Sequence, residues 1–139
     1  MHWFWLLCLG PLLLLGACAT QPPAEQLHTT LGDMIRLVED GAYEQLITAY
    51  VDPDWIEAQG PGGLSDWRTA VSGPRRYSFH IRLCLAYRSE PQFGPGGRRA
   101  AFTAGELAGQ PLVFRLRKGV WYLQPGRDRQ AADGPPGGP

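Results

Sequence analysis

The chain is 139 residues long and 44% hydrophobic, with 13 Lys+Arg against 13 Asp+Glu, 18 Gly, 13 Pro and 3 Cys. That length holds one domain. A formal charge of zero supplies no whole-chain attraction for a polyanion, and three cysteines are too few for a disulfide framework, so nucleic-acid-coating and disulfide-stapled classes start disfavoured.

Residues Trp3 to Leu15 form an apolar or small-residue run broken only by Gly10 and Pro11, and the first Asp, Glu, Lys or Arg is Glu25. The run is too short for a relaxed membrane span of ~20 apolar residues. It has the length of a signal-peptide apolar region, although His2 is the one basic group ahead of it. The run ends in Leu15-Gly16-Ala17-Cys18, which resembles the bacterial lipoprotein box: a branched apolar residue, two small residues and the cysteine that receives diacylglycerol. The resemblance implies a signal peptide over residues 1–17, cleavage between Ala17 and Cys18, thioether lipidation of Cys18, and acylation of the new amino terminus by a fatty acid such as palmitate. Its partner is then a lipid bilayer. Ala19, rather than Asp, follows Cys18, and in Gram-negative lipoproteins that resemblance points to the outer membrane rather than the inner. Two other readings of the segment stay open. Ala17-Cys18-Ala19 is also an A-x-A site that would release a soluble periplasmic or secreted protein from Thr20, and an uncleaved anchor is the third.

With Cys8 in the signal and Cys18 carrying lipid, Cys84 stands alone, so no intramolecular disulfide is expected. Residues 18–24 read as a lipidated, Pro-containing tether and residues 25–124 as a single domain. In the tail, 125–139, 8 of 15 residues are Gly or Pro and no apolar period survives, which predicts disorder.

Within the domain, Leu27, Leu31, Met34, Ile35 and Val38 recur at helical spacing, and Gly41 suits the C′ position that closes the helix. Tyr43, Leu46, Ile47 and Tyr50 repeat that spacing in a second helix, stopped at Asp52-Pro53. Asp52 can cap a third, short turn with Trp55 and Ile56 inward. A Gly-Pro-Gly-Gly loop at 60–63 follows, then a short helix starting at Ser65 and carrying Trp67, Ala70 and Val71. From Tyr77 to Tyr87 every odd residue is apolar and every even one small or polar, which predicts a half-buried strand. Phe79, Leu83, Ala86 and Tyr87 equally fit one face of a helix, so both assignments stand. A second Gly-Pro-Gly-Gly at 94–97 precedes a strand at Arg99 to Thr103. Leu112, Phe114 and Leu116 then alternate with Val113, Arg115 and Arg117 before a Lys118-Gly119 turn into Val120–Leu123, a β-hairpin. The class is α+β, with N-terminal helices packed on a small C-terminal antiparallel sheet.

The segments MIRLVEDGAYEQLITAYVDP (34–53), RRAAF (98–102) and LVFRLRKGVWYL (112–123) resemble small secreted or lipid-anchored bacterial proteins of the nuclear-transport-factor-two-like, cystatin-like superfamily. The shared features are a helix ending in Gly-x-Tyr, a second helix ending near Pro, and a last hairpin carrying Gly-x-Trp-Tyr. The resemblance covers residues 27 to 124 and is weakest in the middle. It implies helices closing over a curved sheet, and leaves function open because such folds host enzymes, binding domains and assembly modules.

No motif specifies a reaction, and no catalytic residue, cofactor or metal site is assigned. His80 and Cys84 meet either on a strand face or at i, i+4 on a helix, an arrangement that can activate a thiol. A lone cysteine is more simply a small buried apolar group. Asp52 and Asp54 suit acid–base work or, better, a helix start. The Gly-Pro-Gly-Gly loops lack the Gly-Lys-Ser/Thr end of a phosphate loop and read as connectors. Arg82, Arg115, Arg117 and Trp121 form a candidate binding face, for an anionic lipid or an envelope protein; the simpler reading is a solvated face, with Arg115 and Arg117 at the outward positions of an amphipathic strand. Nucleic acid is not expected to meet an exported chain. The zero net charge divides unevenly: residues 18–66 hold nine acids and one base, and residues 67–139 hold twelve bases and four acids. An acidic helical half and a basic sheet half can therefore face different partners or each other. The function these features suggest is a membrane-anchored, non-catalytic binding or assembly module at the cell envelope; the alternative is a small enzyme with a pocket between helices and sheet.

Overall fold

The computed structural model describes residues 21–74 and 76–126. Four helices precede a four-stranded sheet: α1 (Pro23–Glu39), α2 (Tyr43–Tyr50), α3 (Pro53–Ser72) and α4 (Arg76–Tyr87), then β1 (Gln92–Phe93), β2 (Arg99–Phe102), β3 (Leu112–Arg117) and β4 (Val120–Gln124). The α+β class with helices first is therefore the observed one. Signal peptide, Cys18 and the tail beyond Gly126 lie outside the described residues.

The helix α1 opens with Pro23 in its first turn, where a missing N–H costs nothing. Its stripe buries Leu27, Leu31, Met34, Leu37 and Val38. The end is a Schellman closure: the Ala42 N–H donates to Leu37 O at 2.8 Å and the Gly41 N–H to Val38 O at 3.1 Å. Gly41 sits at φ +68, a conformation that an L side chain resists.

Between α2 and α3 the chain crosses the edge of the sheet. Val51 is extended and forms a parallel bridge with Leu123, and the Asp52 N–H donates to Leu123 O at 2.9 Å. Asp52 then caps α3, its carboxylate accepting from the Asp54 N–H at 3.0 Å.

The Gly-Pro-Gly-Gly segment corrects the expected loop. Only Gly60 leaves the helix, at φ 66 and ψ −178, and Pro61 starts the second half of α3 four residues ahead of Ser65. Proline is tolerated there because the i to i−4 ladder is already broken at its neighbour. Twelve residues of straight helix would run about 18 Å. Instead Trp55 and Trp67 meet edge to face with centroids 6.1 Å apart across the kink.

Residues 76–87 are helical, not a strand. Phe79, Leu83 and Ala86 face inward against α1 and the sheet, at 6%, 0% and 1% exposure. Of the other apolar residues of the alternating pattern, Leu85 packs half-buried at the edge of the core, and Tyr77, Ile81 and Tyr87 are left outside at 64%, 51% and 40% exposure.

The sheet is an antiparallel meander in the order β1-β2-β3-β4. Ala100 pairs with Phe114, Phe114 with Leu123 and Leu116 with Trp121, which places Ala100, Phe102, Leu112, Phe114, Trp121 and Leu123 on the helix side. The two-residue β3–β4 turn has positive φ at both Lys118 and Gly119, the geometry that matches strand twist.

Candidate functional site

The centre of the space between helices and sheet is filled by side chains. Trp121, Phe102 and Phe114 are at most 2% exposed, and the rings of Phe102 and Phe114 pack edge to face at 6.0 Å. A cleft of about 430 Å3 opens beside this core between α3, α4 and β3, lined by Trp67, Phe79, Pro111 and Leu123. Among the described residues, its single ionisable lining group is Arg82. That guanidinium is committed to backbone: Nε and Nη2 donate to Gln110 O at 3.1 and 2.9 Å, and Nη2 also reaches Pro111 O at 3.3 Å. Arg82 thus ties α4 to the loop that delivers β3. Among the described residues, no group of three or more His, Cys, Asp or Glu is placed to hold a metal ion.

The other two candidate arginines sit on the outer face of the sheet against the start of α3. Arg117 Nη1 lies 3.2 Å from Asp52 Oδ1 and 3.0 Å from Asp54 Oδ1, and Arg115 Nη1 lies 3.9 and 3.6 Å from the same two carboxylates. Asp52 is 1% exposed and also accepts from Gln124 Nε2 at 3.1 Å. Burial pushes its carboxyl upward, but the bonds from Gln124, the Asp54 N–H and Arg117 outweigh that push and hold its pKa below the usual carboxylate value. The acidic helical half and the basic sheet half therefore meet here and neutralise one another. Asp52 and Asp54 serve as a cap and an ion-pair cluster, not as an open pair of carboxylates.

Trp121 does not belong to an exposed binding face. It is fully buried, packed near Phe93 with ring centroids 6.1 Å apart, because β4 turns its odd-numbered residues toward the helices and leaves Tyr122 on the outer side. The four residues expected to form one face are thus not brought together at a common surface.

His80 and Cys84 do meet across one turn of α4, with Sγ 3.8 Å from Nε2. The same Nε2 lies 3.0 Å from Glu39 Oε1 at the end of α1. A single ring nitrogen holds either a proton or a lone pair. Donating to the carboxylate leaves nothing to accept a thiol proton, whereas a thiol relay needs the acid on the opposite nitrogen. The cluster joins the two helices and is not arranged as a nucleophile with its base. Sequence reasoning missed Glu39 because it lies 41 residues from His80.

A surface that the sequence reading did not single out is the outward stripe of α4. Tyr77, Ile81, Cys84 and Arg88 follow one another at i, i+4, i+7 and i+11, with Leu85 beside them. The available signal was the surplus itself, since a helix drawn through residues 76–87 is apolar on both sides.

Compared with protein-family models, with curated proteins and with solved structures, the chain matches none.

Proposed function

We propose that the chain is an exported bacterial lipoprotein, anchored through Cys18 and presenting its helix–sheet domain as a non-catalytic binding or assembly module at the cell envelope. The observation that carries the anchor is the Leu15-Gly16-Ala17-Cys18 box closing an uncharged apolar run. Ala19 supports the outer membrane as the destination. Each buried methylene contributes ~0.8 kcal/mol, so several acyl chains on one cysteine hold a domain of this size at a bilayer. No helix among the described residues is long and apolar enough to cross a membrane. The module reading is supported by the filled interior and by a cleft with one ionisable lining group, itself engaged by backbone carbonyls. Helices followed by an antiparallel meander also support the resemblance to the cystatin-like superfamily.

The test is to express the wild type and Cys18→Ala in a Gram-negative host supplied with labelled palmitate. The wild type should take up label and sediment with membranes, and the variant should do neither. Membrane retention of the variant without label would overturn the anchor.

A further inference from the structure

We infer that the outward stripe of α4 rests on the bilayer into which the Cys18 lipid inserts, so that the domain lies on its α1/α4 side with the outer face of the sheet pointing away. This rests on the lipoprotein reading above and adds an orientation to it.

The stripe is apolar where a solvated helix is polar. Tyr77 and Ile81 are more than half exposed, Tyr87 is 40% exposed, and Leu85 is half-buried beside them. The helix contains no Asp or Glu, and Arg76 and Arg88 stand at its two ends. A packed helix that keeps aromatic and branched residues on its outward side, with arginines at its ends and no acid of its own, offers apolar contact to acyl chains and positive charge to anionic headgroups. The acids that border the stripe are at its margins: Glu39 is held by His80, Glu106 lines the groove beside Ile81 and Leu85, and Glu25 and Glu90 line the cleft with Tyr87 and Arg88 at the anchor end.

The length of the anchor chain and the place where it ends select the bilayer as the occupant. From Cys18 to Pro22 the chain reaches at most about 14 Å fully extended, at roughly 3.3 to 3.6 Å per residue. It ends at the start of α1, where His28 stacks on Tyr87 with centroids 3.9 Å apart and Ala24 lines a cleft with Tyr87 and Arg88. The antiparallel partner α4 therefore begins its exposed stripe beside the anchor and carries it away for about 18 Å, the length of its 12 residues. A short tether brings this end of the domain to the lipid surface, and the α4 stripe beside it offers apolar side chains between two arginines.

The full-length lipoprotein is reconstituted in vesicles of phosphatidylethanolamine and phosphatidylglycerol. It carries an environment-sensitive fluorophore on Ile81→Cys in a Cys84→Ser background, or on Tyr77→Cys as a second site. The reference site is Arg99→Cys on the outer sheet face. Co-flotation and the presence of lipid on Cys18 are scored first. The inference expects blue-shifted emission at residues 81 and 77, quenched several-fold more by lipid-borne nitroxides than at residue 99. A protein that neither floats nor carries lipid overturns the anchor and the orientation with it. A lipidated, floating protein with equal quenching at all sites overturns the orientation alone. A blue shift at residue 81 without nitroxide quenching, dependent on protein concentration, assigns the stripe to a second copy of the chain and also overturns it.

Discussion

Arg117 places Nη1 3.2 Å from the carboxylate of Asp52, 65 residues earlier in the chain, and so fastens the first turn of α3 to the outer face of the sheet. The contact joins the acidic half of the sequence to the basic half. Because Asp52 is also the cap of α3 and, through its N–H, a partner of β4, one buried carboxylate holds three elements in register.

Asp52→Ala removes a cap and the buried acceptor of Gln124 and Arg117, while Arg117 keeps Asp54, so it should lower the free energy of unfolding by about 2 kcal/mol. Asp52→Asn keeps an acceptor for the Asp54 N–H and should cost visibly less. Urea denaturation measures both. Equal losses would mean that charge, not capping geometry, carries the whole contribution.

The same residue sets an acid limit. Its folded pKa lies below the unfolded value of about 3.9, so the folded state binds the proton less readily. Its stabilising contribution is complete above that unfolded value and is lost as pH falls through the lower, folded one. Asp52→Asn should therefore show a shallower decline of stability below about pH 4 than the wild type. Parallel declines would assign acid sensitivity to other carboxylates.

Two glycines in α3 should respond oppositely to the same substitution. Gly60 sits at φ 66 and ψ −178, a region that is essentially glycine-only, so Gly60→Ala should destabilise by about 1–3 kcal/mol. Gly62 has no neighbour within 4 Å of a built Cβ and no positive φ, so Gly62→Ala should stabilise by about 0.5–1 kcal/mol. Thermal melts distinguish them, and two changes of the same sign would contradict the kink at Gly60.

Trp121→Ala should cost about 3–5 kcal/mol, because the side chain is fully buried. Trp121→Phe should cost much less. The indole N–H finds no hydrogen-bond partner among the described residues, and removing an orphaned buried donor offsets part of the lost volume. Tyr122→Ala, on the outer face, should cost less than half as much as Trp121→Ala.

The parts of the fold that could be read from the sequence are those specified by neighbours in the chain. The stripe from Leu27 to Val38, its Gly41 closure, the Asp52 cap and the Lys118-Gly119 hairpin all depend on residues within a few positions of one another. Residues 77–87 were undecidable locally because one set of apolar side chains satisfies both periods. What settles them is that α1 and the sheet require Phe79, Leu83 and Ala86 on one side, which is tertiary information. Gly-Pro-Gly-Gly at 60–63 reads as a loop by composition, yet three of its four residues are helical once Gly60 has absorbed the bend. β1 is two residues long and has no period to detect. Opposite faces for Trp121 and Tyr122 follow from strand alternation, but which one faces the core does not, and this is why Trp121 was expected at a surface. The partners of Arg82, Arg115 and Arg117, and the Glu39 partner of His80, are separated from them by 28 to 65 residues and carry no local signal.

The mature amino terminus decides whether the chain is lipid-anchored, and mass spectrometry of the protein purified from membranes measures it directly. A lipoprotein yields an amino-terminal peptide that begins at Cys18 and carries the mass of a diacylglyceryl thioether with an additional acyl chain. A peptide beginning at Thr20, or one that retains residues 1–17 with an unmodified Cys18, would contradict it.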